Sequence, residues 1–191
     1  MEMLIDAKPT AVFFWRRIDE SGHDCCRLFE LSGRWLLNGG AVFIEKSRRC
    51  HLQYEVVTDA AWNTKHATVS GFVGKRTVDL RIRASRKQQW FVNDEPQVGV
   101  NGCLDLDLGF TPATNLIAIR RLSLSIGEQV DATAAYLTFP NMRLKVLPQT
   151  YRRSGRLEYD YEAPSFAYRG RLKVSSLGAV VHYPGLFKQL K

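Results

Sequence analysis

Apolar and polar residues alternate with a period of two along much of this chain. Over residues 78–84, Val78, Leu80, Ile82 and Ala84 fall on one side, and Asp79, Arg81 and Arg83 on the other. Phe166, Tyr168, Leu172 and Val174 oppose Arg169, Arg171 and Lys173. Leu157, Tyr159 and Tyr161 oppose Glu158, Asp160 and Glu162, and Met142, Leu144 and Val146 oppose Arg143 and Lys145. This is the period of a β-strand with one dry and one wet face, as in antiparallel sheets. Helical spacing is almost absent. Only the tail PGLFKQLK, residues 184–191, predicts a helical turn, after a break at Pro184 and Gly185. Glycine-containing breaks (LSGRW, NGGA, RSGR, SLGA) separate roughly a dozen predicted strands. The expectation is an all-β chain with little helix, a large antiparallel barrel or a strongly curled sheet. About eight strands already suffice for a solid interior, so closure at this size predicts a cavity. A faint echo, with Leu52, Tyr54 and Val69 laid over Leu157, Tyr159 and Val174, suggests two similar halves.

The run LDLDLGFTPATNLIAIRRL, residues 104–122, concentrates candidate chemistry. Asp105 and Asp107 face away from Leu104, Leu106 and Leu108. Beyond the turn formers Pro112 and Asn115, the pattern predicts a further strand. It would set Arg120 among Leu116, Ala118 and Leu122, and Arg121 beside Ile117 and Ile119. An arginine among aliphatic groups must find an anion or lose several kcal/mol to desolvation. Asp105 and Asp107, across the turn, are its natural partners. One reading is a structural clamp that fixes strand register. The other is a polar anchor at the mouth of an apolar cavity, in which Asp105, Asp107, Thr114, Asn115, Arg120 and Arg121 hold the head of an amphiphile. The TPATN segment is also explained as a plain turn capped by its own hydroxyls. Trp62 lies in a break between strands, as a plug for one barrel end or as a face for a sugar ring. Tyr159, Tyr161 and Tyr183 carry the same two readings.

The 191 residues suit one domain spanning 1–191, and 45% hydrophobic with 24% charged residues is ordinary for a globular chain. The net charge of +8 permits acidic partners, but the basic residues are dispersed, so no nucleic-acid partner is expected. Glu2 and Asp6 precede a short apolar run at 11–15 without a small-residue cleavage site, and no stretch approaches the ~20 apolar residues of a membrane span. The expected location is therefore cytoplasmic, with Cys25, Cys26, Cys50 and Cys103 reduced, and Cys25 and Cys26 on opposite faces of a strand. His23, His51, His66 and His182 show no metal-ligand spacing, and nucleophile-elbow, P-loop and dinucleotide motifs are missing. No catalytic residue, cofactor or metal is expected. The Asp105/Asp107 pair is the one glycosidase-like feature, and the adjoining arginines are expected to keep both carboxylates ionised and poor as acids. Unpaired strand edges leave a homodimer open.

GCLDLDLGFTPATN followed by IRRL resembles the signature of a bacterial family named for a supposed glycolipid-binding role, formerly a domain of unknown function. YEVVTDAAWNTKHATV, LTFPNMRLKVLPQTY, YDYEAPSF and GAVVHYPGLF match in the same order, from about Trp15 to the C-terminus. Two stretches depart from the family pattern: Leu-Ile-Ala at 116–118, where Thr-Leu-Pro is commoner, and residues 88–100, which lack its Gly-rich hairpin. The resemblance implies an antiparallel β barrel similar to the carriers that escort bacterial lipoproteins, and a glycolipid ligand. It supplies no catalytic residues. A buried acyl chain gains about 0.8 kcal/mol per methylene, on the order of 10 kcal/mol gross for a long one. The resulting expectation is a non-enzymatic protein holding a glycolipid or other amphiphile in an apolar cavity. The alternative is a hydrolase or isomerase of a lipid-like or sugar substrate in that cavity. A weaker option is a scaffold binding an acidic partner through its outer face.

Overall fold

The computed structural model describes residues 7–190, so the Glu2–Asp6 part of the N-terminal reading lies outside the described residues. The fold is all-β. The first half is a meander of β1 (Ala11–Arg17), β2 (Gly22–Leu31), β3 (Arg34–Glu45), β4 (Arg48–Asp59), β5 (Thr64–Val73), β6 (Arg76–Ala84), β7 (Trp90–Val92) and β8 (Glu95–Pro96). The second comprises β9 (Asp105–Asp107), β10 (Gln129–Leu137), β11 (Leu144–Gly155), β12 (Glu158–Ala163), β13 (Tyr168–Val174), β14 (Val180–Tyr183) and β15 (Phe187–Gln189). One helix, α1 (Asn115–Leu122), separates β9 from β10.

All fifteen strands form one sheet, in the order β8-β7-β6-β5-β4-β3-β2-β1-β15-β14-β13-β12-β11-β10-β9. The two meanders run outward from a central seam, where Trp15 pairs with Gln189 and Arg17 with Phe187. Neighbours are antiparallel except β9, which is parallel to β10. The sheet curls strongly without closing, and its edges are β8 and β9. Pro96 and Glu95 blunt the β8 edge, since proline offers no ladder N–H. The sequence echo falls on β4–β5 and β12–β13, the fourth and fifth strands of each half in chain order; counted from the seam, β5 and β13 hold different places.

Alternation is realised strand by strand. Val78, Ile82 and Ala84 are buried while Asp79, Arg81 and Arg83 are exposed, and Cys26 is buried while Cys25 faces solvent. All four cysteines are unpaired. Three expectations fail locally. Phe166 lies in a turn of 3₁₀ helix and is exposed, not on the dry face of a strand. Val146 is exposed and Leu147 buried, so the inward phase of β11 shifts after Leu144. Leu157 belongs to the β11–β12 turn and stays exposed, leaving Tyr159 and Tyr161 to carry the inward face.

Larger corrections concern helix and strand. Residues 115–122 form α1, where period-two reading predicted a strand. Residues 110–119 are buried without interruption. A segment buried on all sides carries no polar face to betray its period, so a short apolar run cannot distinguish strand from helix. Enclosed by the sheet, this segment meets its backbone hydrogen-bonding needs internally as a helix. Thr111 bonds to Asp24 of β2 and Asn115 to Tyr151 of β11, so the segment bridges both meanders. The tail 187–189, expected as a helical turn, is strand β15. Gly185, at φ +77°, turns the chain back, and the open edge of β1 supplies the partner.

Candidate ligand-binding site

Inward positions of the C-terminal meander gather aromatic side chains around one cavity of about 280 Å³. β12 contributes Tyr161 and Ala163, β10 Tyr136, β13 Tyr168, β14 Tyr183 and β15 Phe187. Phe166 comes from the short turn of 3₁₀ helix between β12 and β13. The rings pack on one another: Tyr168 meets Tyr183 edge-on at 5.2 Å, and Tyr183 meets Tyr161 edge-on at 5.8 Å. These are preferred aromatic geometries, so the wall is stiff.

One side of the cavity is polar. Asp107 accepts hydrogen bonds from the Gly109 N–H and from Gln149 Nε2, both at 2.9 Å. Gln149 Nε2 also reaches the Tyr161 hydroxyl at 2.9 Å. Asn115 lines the cavity and donates to Tyr151 at 3.2 Å. Burial pushes the Asp107 carboxyl above the usual carboxylate range, against the lowering effect of the Gly109 and Gln149 bonds. Asp107 faces glutamine rather than arginine, and burial raises the Asp105 carboxyl too despite its bond to Arg121, which corrects the expectation that arginines would keep both firmly ionised. Burial raises the hydroxyls of Tyr161 and Tyr183 as well, and that of Tyr136 to about 12. Gly109 has φ +57°, and an added Cβ would lie 2.5 Å from Tyr136 Cε2. Glycine therefore both makes the turn after Asp107 and admits Tyr136 over it.

The structure brings four of the sequence-predicted residues to this cavity: Asp107, Asn115, Tyr161 and Tyr183. The rest lie elsewhere. Asp105 and Arg121 form a fork-to-fork pair, Nε–Oδ1 and Nη2–Oδ2 both at 2.6 Å, with Asp105 2% exposed. The bonded carboxylate raises the Arg121 pKa and holds the cation. Thr114 is buried and accepts from the Leu108 N–H at 3.3 Å. Trp62 is buried against Trp35, stacked at 4.6 Å, with the Arg120 guanidinium 5.4 Å from its ring. Tyr159 lies on the inward face of β12 under Arg153, 5.9 Å from its guanidinium.

Sequence reasoning missed Gln149, Tyr136 and Tyr168. The signal existed for Gln149, a polar residue between Leu147 and Tyr151 on the inward phase of β11. It also missed Asp24, 1% exposed on β2, which accepts from the Tyr54 hydroxyl at 3.0 Å and from Thr111. Burial raises its pKa to about 7, although both hydroxyls and the Cys25 backbone oppose the shift. Among the described residues, no group of three His, Cys, Asp or Glu side chains could hold a metal ion. No helix among them is long and apolar enough to cross a membrane.

The chain is thus a curled antiparallel sheet that holds an aromatic cavity with one polar wall. A family model described as "Putative glycolipid-binding" matches residues 12–189, and the chain belongs to that family. The crystal structure of a DUF1089 family protein from Pseudomonas aeruginosa has the same fold. It superposes with a TM-score of 0.78 at 24% identity, covering 97% of this chain and 96% of that one. No curated protein matches the chain.

Proposed function

We propose that the protein binds an amphiphile without transforming it, taking a glycolipid's sugar or a comparable polar head into the tyrosine cavity. The observation that carries this reading is the composition of the cavity wall: six aromatic rings, and the Asp107–Gln149–Tyr161 bonds on one side. Aromatic faces cover the apolar faces of a sugar ring, and a carboxylate accepts hydrogen bonds from its hydroxyls. The volume of about 280 Å³ lies just below the ~300–1,000 Å³ of typical ligand pockets, so a head group fits and a whole long-chain lipid does not. On this reading the anchor is Asp107, and the Asp105–Arg121 clamp holds β9 against α1.

Titration with octyl glucoside below its micellar threshold, followed by tyrosine fluorescence, tests the reading. Asp107→Asn should weaken binding about tenfold, the worth of one charge-assisted hydrogen bond. Ala163→Leu, which fills the cavity, should abolish it. Binding unchanged in both variants refutes the assignment. One observation favours a second reading, a hydrolase or isomerase: the raised pKa of Asp107 at the wall of a concave site. Turnover of a bound ligand, lost in Asp107→Asn, would establish that instead.

A further inference from the structure

At the far end of α1, three arginines converge on a second, smaller pocket of about 200 Å³. Arg120 comes from the last turn of α1, Arg153 from β11 and Arg156 from the β11–β12 turn. Ser175 and Ser176 are supplied by the β13–β14 turn. No carboxylate lines the pocket. Among the described residues none of the three arginines makes an ion pair, a state they share with most arginines of the chain; Arg17, Arg121, Arg169 and Arg171 do pair.

Arg153 is held rigidly. Its Nη1 donates to the Leu124 carbonyl at 2.8 Å, Nη2 to that of Arg156 at 2.9 Å, and Nε to that of Gly155 at 3.4 Å. Carbonyls orient the fork without neutralising it, and two of its five N–H groups remain. The stem of Arg120 packs against Gly178, where an added Cβ would lie 3.3 Å from Arg120 Cδ and 3.2 Å from Ile119 Cγ2. Glycine, at φ +91°, thus lets the serine-bearing turn close onto the helix beside the arginine. The pocket thus sets one fixed guanidinium, that of Arg153, beside the exposed Arg120 and Arg156 and two serine hydroxyls, with no carboxylate in its lining to balance them.

We infer that this pocket binds a phosphate-type oxyanion, a phosphate monoester or diester, with the arginines as charge-assisted donors and the serine hydroxyls completing the shell. The inference does not depend on the tyrosine cavity, which lies toward the other end of α1 at Asn115. Two sources share this chemistry, a soluble phosphoester and a phospholipid head.

Calorimetric titration with inorganic phosphate and with glycerol 3-phosphate covers the first source. Flotation with phosphatidylcholine vesicles containing phosphatidylglycerol covers the second. The variant is Arg120→Gln/Arg156→Gln, both at exposed positions. The charge-matched control is Arg169→Gln/Arg171→Gln on the outer face. Thermal unfolding verifies that each remains folded, and Arg156→Gln alone replaces the double variant should that not fold. Affinity should fall at least about tenfold in the pocket variant and stay within about twofold in the control. Loss in the soluble titrations identifies a phosphoester site, and loss in flotation alone a lipid head. No binding of any probe, or equal loss in variant and control, overturns the inference, since the attraction would then reflect only the overall charge.

Discussion

Asp24→Asn should change how stability depends on pH, in a direction set by burial. Asp24 is 1% exposed, and its pKa rises from 3.8 to about 7 on folding. Between those values the native state holds a proton that the unfolded state has released. Stability therefore falls as pH rises through this window. The favourable contribution is complete only below the unfolded pKa and is lost once pH passes about 7. At 1.36 kcal/mol per unit, the loss from about pH 4 to about pH 8 is roughly 4 kcal/mol. Asparagine keeps the shape, accepts from Tyr54 or Thr111, and does not titrate. Urea unfolding of both proteins across that range isolates the effect, because every other group is common to the two. The variant should gain on the wild type by roughly 4 kcal/mol toward alkaline pH. A stability difference between the two that does not vary with pH would refute the argument, and would mean that Asp24 stays ionised in the fold.

Arg121→Met should cost about 3–5 kcal/mol in urea unfolding, because it leaves Asp105 buried without its cation. Adding Asp105→Leu should recover much of that loss, and no recovery would show that the fork pair is not the cause. Gly39→Ala should cost about 1–3 kcal/mol, since the new Cβ would lie 2.5 Å from the ring of Tyr54 and displace a donor to Asp24. An unchanged unfolding midpoint would refute this. The octyl glucoside and phosphate titrations test the cavity and the arginine pocket separately.

The long strands were legible because the wet outer face of the sheet preserves alternation, as from Val78 to Ala84. The region that matters most for function was not. From Phe110 to Ile119 the chain touches protein on every side, so neither period leaves a trace in its polarity. The pairing of Arg121 with Asp105 was readable even so, because desolvation demands a partner whatever the backbone does. Which arginine it would be was not, because a helix sends Arg120 and Arg121 in different directions where a strand would have placed them on opposite faces. Asp107, Tyr161 and Tyr183 were singled out individually. Their convergence depends on the curl of the sheet, with β14 folded back beside β13 and β15 joining it to β1, and the apolar tail that forms β15 predicts a helical turn by its sequence.

The seam between β1 and β15 has a consequence during synthesis. The partner of Ala11–Arg17 is made only with residues 187–189, so the first meander emerges from the ribosome with an open side in the middle of the eventual sheet. Phe13 and Trp15 lie on that unfinished border, where an adhesive strand invites pairing with another nascent chain. The molecule is thus most exposed to clumping in the interval before its last strand arrives, and a helper that shields β1 then would raise the yield of folded protein.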